Sequence, residues 1–368
     1  MKGLIDSTLR EGEQAPGVFF PLAAKIKIAR LLARVGIEEI ELGIATPYNR
    51  ELPELMRLSR RRITTSRLAL WCRCVTADID FAAALAPDVL SLSIPASDLH
   101  IYEKLGRNRS WIKDTLAQAI RYSLAKGIRV VSVGLEDATR ADEDFLAQLM
   151  QTAAQAGAAR VRLADTVGIM SPAAIAGLIG RIAKITPLEI GMHAHNDFGM
   201  ATANGIAALE AGADWADATV LGIGERAGNS RLEEMAGYLA LRGDRRPYQT
   251  EHLRLLCQSV AHAAKRPIAG SHPLVGEAIF TCETGLHLQG LTRNPATYEP
   301  YEPERVGGQR RLLLGSKSGK RAIQDRLQTL GCPLPAERLE QVLNRVRHQA
   351  GSKRRPLNDE EIRAIISG

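Results

Sequence analysis

Apolar and polar positions come in alternating blocks along the first two-thirds of the chain. Short apolar runs recur as GLIDST at 3–8, EEIELGI at 38–44, RLALWCR at 67–73, DVLSLSI at 88–94, RVVSVGL at 129–135, RVRLADT at 160–166, LEIGMHAH at 188–195 and ADATVLGI at 216–223. Between them, apolar residues fall at helical spacing, as in 23–35, 111–125, 143–156, 173–185 and 201–211. Several of these stretches run into a glycine where a left-handed C-cap would stand, as in RVGIEEI and QAGAARV. The strand runs are nearly continuous in apolar residues, which a parallel sheet covered on both faces requires. Strand–helix units repeated eight times predict an α/β fold, a (β/α)8 TIM barrel over residues 1–244.

After residue 245 the rhythm stops. A helical piece at 251–264 leads into IAGSHPLVGEAIFTCETGLHLQGLTRNPATYEP, which is dotted with glycine and proline. A basic helical tail follows and ends in the amphipathic turn DEEIRAII. Residues 245–368 are therefore predicted to form a mostly helical C-terminal arm or lid.

Composition narrows the class further. No apolar run reaches the ~18 residues of a membrane helix, and no leader is expected before the first strand. The five cysteines are scattered, with one unmatched C-x-C at Cys72 and Cys74, which suits a reducing compartment. A soluble, cytoplasmic protein with no membrane partner is expected. The net charge of +7 is spread along the chain, and aromatics make up only 4%, so no nucleic-acid surface is expected.

In a TIM barrel the ends of the strands carry the chemistry. The stretch IDSTLREGEQ places Arg10 and Glu11 just after the first strand. GMHAHND ends the seventh strand, and its period of two points His193 and His195 the same way. With Glu11, these imidazoles make a mixed nitrogen and oxygen site for a divalent ion. Glu136, at the mouth of the fifth strand, is read as an acid–base group, and Asp137 as the cap of a helix beginning near Ala141. Thr166, after the sixth strand, can hydrogen-bond a substrate carboxylate or cap a helix. GIGERAGN, at 222–229, is read as a close backbone approach at the barrel rim, with Glu225 and Arg226 as a local ion pair.

With DSTLREGEQ, EDATRAD, ADTVG, HAHND and GIGERAGN in that order, the chain resembles the acyl-CoA-condensing α-isopropylmalate/homocitrate synthase family. The likeness runs from Ile5 to about residue 320, and WCRC, SDLH and NPATYE are most similar to the homocitrate synthases of nitrogen-fixing bacteria. There the product is the organic ligand of the nitrogenase iron–molybdenum cofactor. The resemblance implies a metal-dependent Claisen condensation of acetyl-CoA with 2-oxoglutarate. It implies that magnesium, manganese or a similar ion sits on Glu11, His193 and His195. Arg10 would steady the 2-oxo oxygen, Thr166 the carboxylate, and Glu136 would take part in proton transfer. His287 is implied as the base and Tyr298 as an active-site tyrosine, both on an arm that crosses to the partner of a domain-swapped homodimer.

The chain departs from relatives at TCETGLH, where they read THESGIH, and at GSKSG, where they read GKHSG. The lysine-pathway enzymes carry a strand-five arginine for the distal carboxylate; here that position is Ser132. Arg73, with Ser97 and His100 nearby, is the substitute candidate, and a salt bridge at the barrel rim is the equal alternative for Arg73. Competing readings are condensation onto oxaloacetate or 2-oxoisovalerate, and an iron oxygenase built on the same two histidines and one carboxylate.

Overall fold

The computed structural model describes residues 1–242, 248–283, 290–291 and 293–367. The chain forms two compact units, Met1–Ile268 and Ala269–Gly368.

The first unit is a closed barrel of parallel strands in the order β1 to β8. The strands are β1 Gly3–Asp6, β2 Glu39–Ile44, β3 Arg67–Arg73, β4 Val89–Pro95, β5 Val131–Glu136, β6 Arg160–Asp165, β7 Glu189–Ala194 and β8 Trp215–Ala218. Each is followed by a helix: α1 Leu22–Val35, α2 Leu52–Arg60, α3 Thr76–Ala84, α4 Arg109–Ala125, α5 Glu143–Ala156, α6 Pro172–Ile182, α7 Ala201–Glu210 and α8 Leu232–Leu241. Parallel pairing of β1 with β8, Gly3 opposite Trp215, closes the ring. Outward-facing Leu68, Leu70, Leu90, Leu92, Val131 and Val133 are fully buried under the helices. Local chemistry sets the helix ends. Asn108, Asp142 and Ser171 accept from the third backbone N–H of α4, α5 and α6. Gly36 and Gly157 close α1 and α5 in the left-handed conformation.

The sequence reading placed the boundary at residue 244. The division instead falls after Ile268, because α9, Leu253–Ala264, packs its apolar face on α1. Among the described residues, no helix is long and apolar enough to cross a membrane.

The second unit has its own core. A short parallel pair, β9 Thr281–Cys282 and β10 Arg311–Leu312, precedes α10 Lys320–Thr329, α11 Ala336–Lys353 and α12 Asp359–Ser367. Leu339, Val342, Leu343 and Val346 recur at helical spacing along α11 and pack with Ile323, Leu327, Ile362 and Ile365. This is more than the short basic tail expected from the sequence. The apolar stripe is narrow, and the charged residues around it hide it from a simple count.

Candidate active site at the barrel mouth

The barrel interior is polar in layers. A TIM barrel fills its centre with side chains from alternate strands, four to a layer. Here one layer holds Glu41 of β2, Ser91 of β4, Arg162 of β6 and Asp217 of β8, with Arg162 bonded to the other three. Below it, Arg160 pairs with Glu39 and Ser132, and its guanidinium lies 4.9 Å from the Trp215 ring. All these charged groups are buried. Such pairs hold only because each ion finds its partner, since an orphaned buried charge costs several kcal/mol.

Above this floor opens a cavity of about 280 Å³ lined by Arg10, Glu11, Trp71, Ser93, Lys104, Glu136, Ala164, Thr166, His193 and His195, among others. Glu11, His193 and His195 are buried and offer ligand atoms within 4.8 Å of one another. Their hydrogen bonds define which atoms are on offer. His193 Nδ1 lies 2.9 Å from Asp217 Oδ2, so that nitrogen carries the proton and Nε2 keeps its lone pair. His195 Nδ1 lies 3.3 Å from the Asp165 carbonyl, which can only accept, so its Nε2 is also bare. That Nε2 stands 3.4 Å from Glu11 Oε1. Two lone-pair atoms facing each other at this distance, beside a third, fit a cation between them. The carboxylate behind His193 is the usual orienting partner of a metal-binding imidazole.

The electrostatics agree. Burial alone would raise the pKa of Glu11, but the adjacent Arg10 charge pulls it well below the carboxylate range. Asp217 behaves likewise: burial raises its pKa, while Arg162 and His193 bring it down to about 2. Both groups are thus anions at neutral pH. Arg10 pairs with Glu11 and with Glu41 at 3.0 Å, and its guanidinium lies 5.5 Å from the Trp71 ring. Asp6, one strand-end earlier, is different. Burial pushes its carboxyl up to about 7 against the two hydrogen bonds from Thr8. Thr8 Oγ1 in turn accepts from the Val220 amide and ties the first loop to the eighth.

Family models match along the chain: HMGL-like over residues 3–260, and homocitrate synthase post-HMGL domain-like over 274–354. The chain belongs to the isopropylmalate/homocitrate synthase family. It is 41% identical to a homocitrate synthase of Frankia alni over 89% of this chain and 93% of that one. It is 38% identical to 2-isopropylmalate synthase 2 of Caldanaerobacter subterraneus subsp. tengcongensis, over 98% of this chain and 93% of that one. Among solved structures, the HMG-CoA lyase of Bacillus subtilis shares the fold at a TM-score of 0.64 and 19% identity, covering 73% of this chain and 95% of that chain. Membership makes the chain an enzyme of the acyl-transferring, condensing kind.

The geometry sorts the residues singled out in the sequence. Arg10, Glu11, Glu136, Thr166, His193 and His195 all line the one cavity. Arg73 does not join them: it is largely exposed and pairs with Asp78 on α3 at 2.8 Å, while Trp71 from the same strand faces the cavity. Ser97 is buried and donates to Asp137 Oδ2 at 2.5 Å, so it holds a turn. His100 lies against Glu136, Nδ1 to Oε1 at 3.0 Å. Asp137 caps no helix; Asp142 caps α5, and Asp137 sits buried in the left-handed region, bonded to Ser97 and Arg140. Its amide donates to Thr166 Oγ1 at 2.8 Å, which leaves the threonine's own proton for the cavity. Arg226 is 3.9 Å from Glu225, but its hydrogen bonds go to Asp197 and to the Thr166 carbonyl. Tyr298 is half exposed in the second unit, and His287 lies outside the described residues.

Glu41, Arg162, Asp217 and Lys104 escaped the sequence reading. The signal was present in EIELGI and RVRLAD, where charges occupy alternate positions of otherwise apolar strands. An apolar strand with a same-face charge pair marks a polar barrel interior.

Proposed function

We propose that this enzyme condenses acetyl-CoA with 2-oxoglutarate and hydrolyses the resulting thioester, giving homocitrate and CoA. The observation that carries the reading is the Glu11, His193 and His195 cluster, whose ligand atoms lie within 4.8 Å of one another beside Arg10. A divalent ion such as magnesium or manganese held there would supply a Lewis acid for the 2-oxo acid.

The chain's own groups do the rest. Arg10, next to the cluster and facing the cavity, is placed to balance negative charge growing on the 2-oxo oxygen as the new carbon–carbon bond forms. The Thr166 hydroxyl, its oxygen already engaged by the Asp137 amide, donates toward the acceptor's carboxylate. Glu136 handles a proton at the β5 end of the same cavity. His287 and Tyr298, on the arm of a partner subunit, complete the set in a homodimer. Water then cleaves the thioester, which makes the condensation effectively irreversible.

Similarity to homocitrate synthases, and the likeness of WCRC, SDLH and NPATYE to the nitrogen-fixing type, support 2-oxoglutarate and a role in supplying nitrogenase cofactor in the cytoplasm. An isopropylmalate synthase at 38% identity supports 2-oxoisovalerate as the second reading. Oxaloacetate follows by chemistry alone. Membership in a condensing family removes the motive for the oxygenase reading. The test is mass-spectrometric detection of homocitrate from acetyl-CoA and 2-oxoglutarate. Product should vanish after chelation, return with magnesium or manganese, and be lost in His195→Ala. Full turnover by protein shown metal-free by elemental analysis would overturn the proposal.

A further inference from the structure

The loop after β4 contains a short π-helical turn, His100–Lys104, closed by the Leu105 amide donating to the His100 carbonyl at 3.2 Å. Such turns are rare and concentrate at functional sites. Positions i and i+4, about one turn apart, share a face of such a turn. Here that face is used: His100 Nδ1 at 3.0 Å and Lys104 Nζ at 2.6 Å both meet one oxygen, Oε1 of Glu136. The far side of His100 is anchored as well. Its amide donates to Ser97 Oγ, Ser97 donates to Asp137 Oδ2, and the ring's Nε2 stands 3.7 Å from that same Asp137 oxygen.

We infer that His100 and Lys104 are positioning residues that clamp Oε1 of Glu136, so that Oε2 alone faces the cavity and moves the proton. Two donors on one oxygen restrict the three side-chain torsions of the glutamate, and among the described residues Oε2 carries no hydrogen bond. The clamp also explains the backbone of Asp137, held at φ 60° immediately after Glu136. That left-handed residue turns the chain so that the Glu136 side chain enters the cavity and the next side chain turns away toward Ser97 and Arg140. A non-glycine residue in this region is strained, and three hydrogen bonds to its side chain, from Ser97 and Arg140, hold it there. During turnover Oε2 takes a proton and returns it, so the clamp leaves no net change in charge. Lys104 is only half exposed and lines the same cavity, which raises the rival role of gripping substrate directly.

This inference rests on the proposed condensation, and the experiment separates the two. Wild-type enzyme, Lys104→Met, Lys104→Arg, His100→Gln, Glu136→Gln and the double variant Glu136→Gln/Lys104→Met are compared in CoA release with acetyl-CoA and 2-oxoglutarate. Circular dichroism and manganese binding establish that each is folded and loaded. Lys104→Met and His100→Gln should each lose at least tenfold in kcat, with KM for the 2-oxo acid within threefold. Lys104→Arg should restore most of the loss, and Lys104→Met should cost less than twofold more once Glu136 is already Gln. A KM raised more than tenfold with kcat retained would mean that Lys104 grips the acceptor, and would overturn the clamp. So would losses that multiply in the double variant, or unchanged kinetics. Absence of CoA release by the folded, loaded wild type with any 2-oxo acid would overturn the condensation instead.

Discussion

At the scale of single residues, the site depends on side chains that fix other side chains. His193 can present Nε2 only while Asp217 holds Nδ1, and Asp217 is itself held by Arg162. Asp217→Asn keeps the shape and removes the charge that makes the imidazole a better ligand. It should weaken manganese binding by about 10- to 100-fold in a competition titration against a chromogenic chelator. Unchanged affinity would show that Asp217 serves Arg162 alone. The pairing of His193 with His195 at one cavity was legible in the sequence because H-x-H on a strand shares a face by geometry. Asp217 was not, because it reads as one acid in an apolar run, and its partners lie on β6 and β7. Of the two readings of Arg73, the rim salt bridge is the one whose partner the structure supplies. Its position at a strand end was right, but Asp78, on the first turn of the following helix, competes for it.

Among the elements, the loop after β8 shows how a short motif shapes the site without touching substrate. Gly228 lies at φ +89°, and a Cβ there would come within 1.9 Å of the Gly222 carbonyl. Only glycine lets the two arms of GIGERAGN meet, and the Gly228 carbonyl then accepts from the Asn196 amide, next to His195. Gly228→Ala should therefore cost about 3 kcal/mol or more, seen as a melting temperature lower by roughly 5 to 10 °C. Gly17, at φ +78° with open space around it, is the control: Gly17→Ala carries backbone strain without a clash and should cost about 1 kcal/mol. Equal losses would mean the close approach contributes nothing. The close backbone approach expected of this loop from its sequence is what the structure shows. Strands and helices of the barrel were legible because periodicity and capping residues agree along it. That the C-terminal region is mostly helical was legible too; that its helices share a core of their own was not, because their buried positions sit between long charged side chains.

For the whole molecule, the loops at the barrel mouth carry an unusual number of exposed apolar side chains. Phe19 and Tyr48 are more than four-fifths exposed, and Phe198, Leu99, Tyr102, Ile169 and Val75 stand on neighbouring βα loops. A ring of this kind marks a surface that another element covers. The proposed homodimer, with each arm delivering His287 and Tyr298 to the other subunit's barrel, would cover it. Mixing His195→Ala with His287→Ala, each inactive alone, should recover part of the activity once subunits exchange. One composite site of each heterodimer then has both halves intact. No recovery, despite heterodimers seen by native mass spectrometry, would exclude delivery across the interface.

The central claim is that the cluster at the mouth of this barrel drives acyl-CoA condensation onto a 2-oxo diacid, and thiol release measured across acceptors tests it most directly. Manganese-loaded enzyme with acetyl-CoA would be offered 2-oxoglutarate, oxaloacetate, 2-oxoisovalerate and pyruvate, with kcat/KM determined for each. The account predicts the highest kcat/KM with 2-oxoglutarate, by at least tenfold. A clearly higher value for 2-oxoisovalerate, oxaloacetate or pyruvate would contradict it.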